Sequence, residues 1–114
     1  AHKISRREPY DRARAEHPGA WDVLLVNARG ELTEFTRGNL ILECEEGRAL
    51  TPPLDAGLLP GTMRARLLAE GRLEEQSLTA ADLAKTRRVC FVNDLRGVVE
   101  VELVGLREDA STRG

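Results

Sequence analysis

Four short apolar runs crowd the stretch from Trp21 to Pro53: "WDVLLVN", "ELTEFT", "NLILEC" and "ALTPP". Each is too short for a helix of ordinary length and suits a strand. They are separated by the turns "NARG", whose Gly30 reaches positive φ without steric cost, and "EEGR". Runs of this length joined by tight glycine turns fold as an antiparallel meander. The remainder of the chain has to cover that sheet.

The flanking segments change period. Residues 5–16, "SRREPYDRARAE", read as a helix capped by Ser5 and ended by "HPGA". After the Pro-Gly break of "LLPGT", a second helix is predicted from Thr62 to Gly71, with Met63, Leu67 and Leu68 on one side. A third is predicted over "SLTAADLAKTRR", where Thr79 and Asp82 form a capping-box pattern. "RVCFVNDLRGVVEVEL" then reads as two strands around a turn at "NDLRG". The order predicts an α+β fold, helices laid against a mostly antiparallel sheet.

With 114 residues the chain has the length of one domain. Aromatic residues make up only 4%, so Leu, Val and Ala must supply the core. The 17 basic and 19 acidic residues are interspersed, leaving a net charge of -2. No basic patch emerges of the kind that phosphate neutralisation needs, which argues against nucleic acid as a partner. No apolar run approaches the ~18 residues of a membrane span, and no signal peptide is visible. Cys44 and Cys90 lie in apolar strand-like runs and do not make a disulfide framework; they read as reduced thiols of a cytoplasmic protein. With only His2 and His17 beside them, their spacing does not suit zinc.

Four local features carry possible chemistry. The "LLPGT" loop delivers backbone N–H groups at a helix start, suited to an anion. Asn93 and Asp94 in "NDLRG" offer hydrogen-bonding groups at a turn between apolar strands. Glu34 stands inside a strand; pointing inward it would need a partner, and no basic residue is placed opposite it. Lys3 could be a reactive amine only in a pocket that lowers its pKa.

Together "HK", "LTEFTRGNL", "TPPL", "GLLPGTMRARLL", "SLTAADL" and "VCFVNDLRG" occur in the order of the class IV pyridoxal-phosphate enzymes, and the chain resembles that family from about Lys3 to Leu103. The family includes branched-chain and D-amino acid aminotransferases and 4-amino-4-deoxychorismate lyase. The resemblance implies a barrel-like, mostly antiparallel sheet with packed helices, and pyridoxal 5'-phosphate as cofactor. It covers only the C-terminal half of such an enzyme. Residues 1–106 therefore read as the cofactor-binding domain, 107–114 as a frayed tail, and the N-terminal domain is expected outside this chain. That domain would supply a phosphate-binding arginine and the second wall of the substrate pocket, so the chain alone is expected to turn over little.

The resemblance also implies site residues. Lys3, in "HK" ahead of a helix containing "YDRA", matches the lysine that holds the cofactor and serves as acid and base. Glu34, in "TEFTRGN", matches the carboxylate that pairs with the pyridine nitrogen and keeps it protonated, making the ring an electron sink. Leu59 matches the apolar residue under the ring. Gly61 and the N–H groups of Thr62 and Met63 match the phosphate cradle, and Asn93 and Asp94 its second contact. An acid at position 94 departs from what a phosphate favours, so only its N–H is expected to face the anion. Thr36, Arg37 and Asn39 are expected to line or brace the site.

Within the family, "NDLRG" is more like the lyases, including those fused to aminodeoxychorismate synthase component I. The implied reaction takes aminodeoxychorismate to 4-aminobenzoate, for folate synthesis, and pyruvate, without a keto-acid acceptor. The alternatives are a branched-chain or D-amino acid aminotransferase, and a non-catalytic fragment or interaction module. A homodimer is expected of the full-length enzyme.

Overall fold

A computed structural model describes residues 21–103. Lys3, the helix predicted over 5–16 and the tail from 107 lie outside the described residues. Seven strands form one sheet: β1 (Leu24–Val26), β2 (Leu32–Phe35), β3 (Asn39–Cys44), β4 (Ala49–Thr51), β5 (Glu74–Glu75), β6 (Thr86–Asn93) and β7 (Gly97–Val101). Two helices, α1 (Thr62–Ala69) and α2 (Ala80–Leu83), and a 3-10 turn at Leu54–Ala56 complete the described chain. The α+β class and the antiparallel meander agree with the sequence reading. The predicted turns carry Gly30 at φ 83° and Gly47 at φ 88°.

β3 organises the sheet. Along one edge it pairs with β6 from Asn39↔Val92 to Cys44↔Thr86. The opposite edge is shared: β2 meets it at Glu34↔Asn39, and β4 meets it at Leu42↔Leu50 and Glu43↔Ala49. Successive side chains of a strand point to opposite faces, so β3 feeds two cores. Leu40 and Leu42 join Leu32, Phe35, Leu50, Leu78 and Phe91 on one face. Ile41 joins Cys90, Val92, Leu73 and Leu67 of α1 on the other, with Met63 and Leu68 packed alongside. Helix α1 thus lies on the face that also carries Asn39, and its start is brought to the β2–β3 end of the sheet.

Three local expectations differ from the structure. "WDVLLVN" forms a strand only over Leu24–Val26, and that strand is half buried to exposed. The helix predicted over 77–88 is a single turn, Ala80–Leu83, although the Thr79–Asp82 capping box is present. Thr86–Arg88 belong instead to β6, because pairing with β3 satisfies their backbone and lets Arg88 reach Glu43 at 2.7 Å. β5 was not legible as a strand; it pairs in parallel with β4, and its Glu75 takes the guanidinium of the buried Arg64.

Candidate functional site

The antiparallel register places Glu34 directly opposite Asn39, and opposed residues share a face of the sheet. Here that is the α1 face. Both are buried, Glu34 at 3% exposure and Asn39 at 5%. They hold one target from two sides: the Leu59 N–H donates to Glu34 Oε1 at 3.0 Å, and Asn39 Nδ2 donates to the Leu59 carbonyl at 3.0 Å. A buried polar group costs stability unless paired, so this clasp explains how the sheet interior tolerates a carboxylate and an amide. The loop it fixes is "LPG", which runs directly into α1. A Cβ on Gly61 would come within 2.3 Å of Asn39 Oδ1, so that position admits only glycine without rearrangement.

The β2–β3 turn is tied down from outside. Phe35 N–H donates to the Gly38 carbonyl at 2.9 Å, closing it. The Thr36 hydroxyl and N–H donate to Asp22 Oδ1 at 2.6 and 2.9 Å. Arg37 pairs with Asp22 Oδ2 at 3.1 Å and donates to the Trp21 carbonyl at 2.6 Å. Burial pushes the Asp22 carboxyl up, but hydrogen bonds from the Thr36 hydroxyl, the Val23 N–H, Arg37 and the Thr36 N–H outweigh it and hold the group below its ordinary value. Gly38 packs against the Phe91 ring so closely that a Cβ there would meet it at 2.6 Å.

All the expected cofactor contacts among the described residues surround one cleft of about 240 Å³. They are Glu34, Thr36, Arg37, Asn39, Leu59, Gly61, Thr62, Met63, Asn93 and Asp94, and Gly38 joins them. Leu59 is 44% exposed, an apolar surface beside the buried carboxylate. Asn93 braces the rim: its Nδ2 donates to the Arg37 carbonyl at 3.0 Å and its Oδ1 accepts the Arg96 N–H at 2.8 Å. The two residues that sequence reasoning passed over are Gly38 and Asp22. The cue for Asp22 was an acid just ahead of the first strand, which is uninformative until the β2–β3 turn is seen to fold onto it.

Asp94 departs from expectation. Its carboxylate, not merely its N–H, faces the start of α1: the Thr62 hydroxyl donates to Oδ2, and the Met63 N–H donates to Oδ1 at 3.2 Å. The physical reason is that Gly61 occupies the N-cap and has no side chain with which to cap the helix. The first N–H groups of a helix lack intrahelical partners and attract an anion, and Asp94 supplies one.

Residues 1–104 match the amino-transferase class IV family. The chain belongs to that family, whose members are mostly pyridoxal 5'-phosphate enzymes. Among its relatives, a Schizosaccharomyces pombe protein named "Putative aminodeoxychorismate lyase" is 36% identical over 100 residues, covering 85% of this chain and 43% of that protein. The crystal structure of a "Putative amino-acid aminotransferase" from Mesorhizobium loti superposes with a TM-score of 0.82 at 44% identity, covering 88% of this chain and 49% of that one. The 4-amino-4-deoxychorismate lyase of Pseudomonas aeruginosa gives a TM-score of 0.74 at 29% identity, covering 84% of this chain and 38% of that one. The chain thus spans half the length of these relatives or less. Among the described residues no helix is long and apolar enough to cross a membrane.

Proposed function

We propose that this chain is the cofactor-binding half of a pyridoxal 5'-phosphate-dependent 4-amino-4-deoxychorismate lyase. The observation that carries the cofactor reading is the cleft itself. A buried carboxylate and an exposed leucine stand at one end, and a helix start with the Thr62 hydroxyl and the Met63 N–H as donors stands at the other. Both ends fit the group. A carboxylate suits a protonated ring nitrogen, and the helix donors already donate to an oxyanion, the carboxylate of Asp94, which stands in for phosphate.

In this reading Glu34 would hold a proton on the ring nitrogen, and Asn39, by fixing the Leu59 carbonyl, would hold the loop that offers Leu59 to the cofactor. Thr62 and Met63 bind the phosphate, and Asn93 keeps the opposing turn in place. Lys3 anchors the cofactor and moves the substrate proton. When bound, the cofactor supplies an electron sink for a carbanion. Overall, the substrate's ring carbon bearing the amine loses its proton, the bond from that ring to the enolpyruvyl oxygen breaks, the ring aromatises to 4-aminobenzoate, and the released enolpyruvate takes up a proton and leaves as pyruvate. The second pocket wall and a phosphate-binding arginine would come from an N-terminal domain, and the complete enzyme would be a homodimer in the cytoplasm.

The lyase assignment draws on "NDLRG" and on the relatives named as lyases. A second reading, an amino acid aminotransferase, is favoured by the 44% identity to the Mesorhizobium loti protein. Assays of the complete protein separate them. Release of 4-aminobenzoate from aminodeoxychorismate without a keto acid supports the lyase. Keto-acid-dependent turnover of D-alanine or a branched-chain amino acid, with no 4-aminobenzoate, replaces it by the transaminase. Added cofactor should give a visible absorbance band that Lys3→Ala abolishes; failure of both proteins to bind it would sink the cofactor reading and leave an interaction module.

A further inference from the structure

We propose that Asp94 is a resident anion of the cleft: its carboxylate holds the cradle at the start of α1, must be displaced before a phosphate can enter, and so sets the affinity for a phosphate-bearing cofactor. The inference rests on the cofactor reading above and adds a residue that works against the ligand.

The geometry is that of a competitor. Helix α1 begins at Thr62 without a side-chain cap from Gly61. Asp94 comes from the turn after β6, far along the chain, and spends both carboxylate oxygens on this helix start, one on the Thr62 hydroxyl and one on the Met63 N–H. These are the donors assigned above to the phosphate. An oxyanion of either kind is favoured at the positive end of the helix, but two of them within a few ångströms repel. The cradle therefore holds Asp94 or phosphate.

Exchange is mechanically simple. The turn is anchored through Asn93, which binds the Arg37 carbonyl and the Arg96 N–H, while Asp94 itself is exposed. Rotation of one short side chain into solvent vacates the cradle without moving the turn. A phosphate monoester carries about -1.5 to -2 charges near neutral pH and offers more acceptors than a carboxylate, so it can win the exchange. Its net affinity is lowered by the contacts that Asp94 gives up and by the negative charge left nearby. The nearby guanidinium of Arg37 is already taken up by Asp22 and the Trp21 carbonyl.

The test compares the parent protein with Asp94→Asn and Asp94→Ser, each shown to be folded by circular dichroism. Pyridoxal 5'-phosphate, pyridoxal and inorganic phosphate are the probes. Removing the charge should tighten pyridoxal 5'-phosphate roughly tenfold, the scale of one charge-assisted contact, and leave pyridoxal unchanged. Inorganic phosphate should shift the Thr62 and Met63 amide resonances of the variants at concentrations that leave the parent unmoved. Unchanged or weakened cofactor binding in both folded variants, with phosphate failing to reach those amides, overturns the inference. Phosphate reaching them while no protein binds pyridoxal 5'-phosphate upholds the role of Asp94 and removes the cofactor reading instead.

Discussion

At the Glu34 end of the cleft two paired sheet residues clasp a loop, whereas at the Asp94 end the contacts join a helix start to a hairpin turn. Glu34 and Asn39 are cross-strand partners, nearly inaccessible, and both close on the backbone of one residue, Leu59. Thr62 and Asp94 are exposed and meet through side chains that can rotate. The sheet end is set by register, which cannot slip by one residue without turning every side chain over. The helix end is set by charge and can exchange one anion for another. A cleft made this way has one end fixed by strand register and another held by side chains that can rotate.

The largest predicted effect falls on the rigid end. Glu34→Gln still offers an oxygen to the Leu59 N–H, so the fold should survive with little change in its melting temperature. The charge is gone, and turnover in the complete protein should drop roughly a hundredfold or more, the scale of losing a preorganised charge contact. Steady-state product formation measures it. A variant as fast as the parent would show that this carboxylate serves only to hold Leu59.

Next comes the seam between the two ends. Gly61→Ala drives a Cβ into Asn39 Oδ1, and overpacking of this kind costs about 1–3 kcal/mol. Urea unfolding should show that loss. Gly38→Ala should behave alike, because the Phe91 ring and the Val92 carbonyl both lie under 3 Å from the new atom, at 2.6 and 2.8 Å. If Gly61→Ala proves neutral, the clasp on the loop is soft and the contrast between the ends weakens.

Asp22 tests whether the turn bracing the rigid end depends on ionisation. Its carboxyl lies lower in the folded chain than in the unfolded one. Its stabilisation is therefore present above the ordinary carboxylate pKa, about 4, and is lost as pH falls through the lower folded value. Asp22→Asn should cost about 1–2 kcal/mol at neutral pH, since the half-buried Thr36 and the exposed Arg37 lose a charged acceptor whose own side chain is almost inaccessible. It should also flatten the fall in stability below about pH 4. Denaturation curves at pH 7 and pH 3 decide it, and an undiminished acid dependence in the variant would assign that dependence elsewhere.

What was readable beforehand follows the same division. β3 was legible to the residue as "NLILEC", and the "NARG" turn was legible because its Gly30 accepts positive φ without strain. The cleft residues were legible through an ordered set of motifs, not through any one of them. The misread parts depend on partners distant in the chain. Thr86–Arg88 looked helical until β3 offered them a ladder and Glu43 offered Arg88 an ion pair across 45 positions. β5 exists only because Leu50 and Thr51 lie beside it. The inward turn of the Asp94 carboxylate needed an uncapped helix start, which "LPGT" does contain, placed next to a hairpin that the local sequence does not locate. Lys3 lies outside the described residues, and its role stands on the resemblance alone.

The smallest predicted effect sits at the adjustable end. Thr62→Ala removes one donor to Asp94 but leaves the Met63 N–H in place. Both residues of the pair are exposed, so water can satisfy what is lost, and the stability change should stay below about 1 kcal/mol, as for the loss of a modest cap. Cofactor affinity should fall by only a few-fold, because the deleted hydroxyl serves whichever anion is present and stabilises the unliganded protein as well. The same reasoning predicts non-additivity: in an Asp94→Asn background, where the competing carboxylate is gone, Thr62→Ala should weaken pyridoxal 5'-phosphate binding more than it does in the parent. A double-mutant cycle on binding measures that coupling. Equal effects in both backgrounds would mean that Asp94 and the phosphate do not share Thr62.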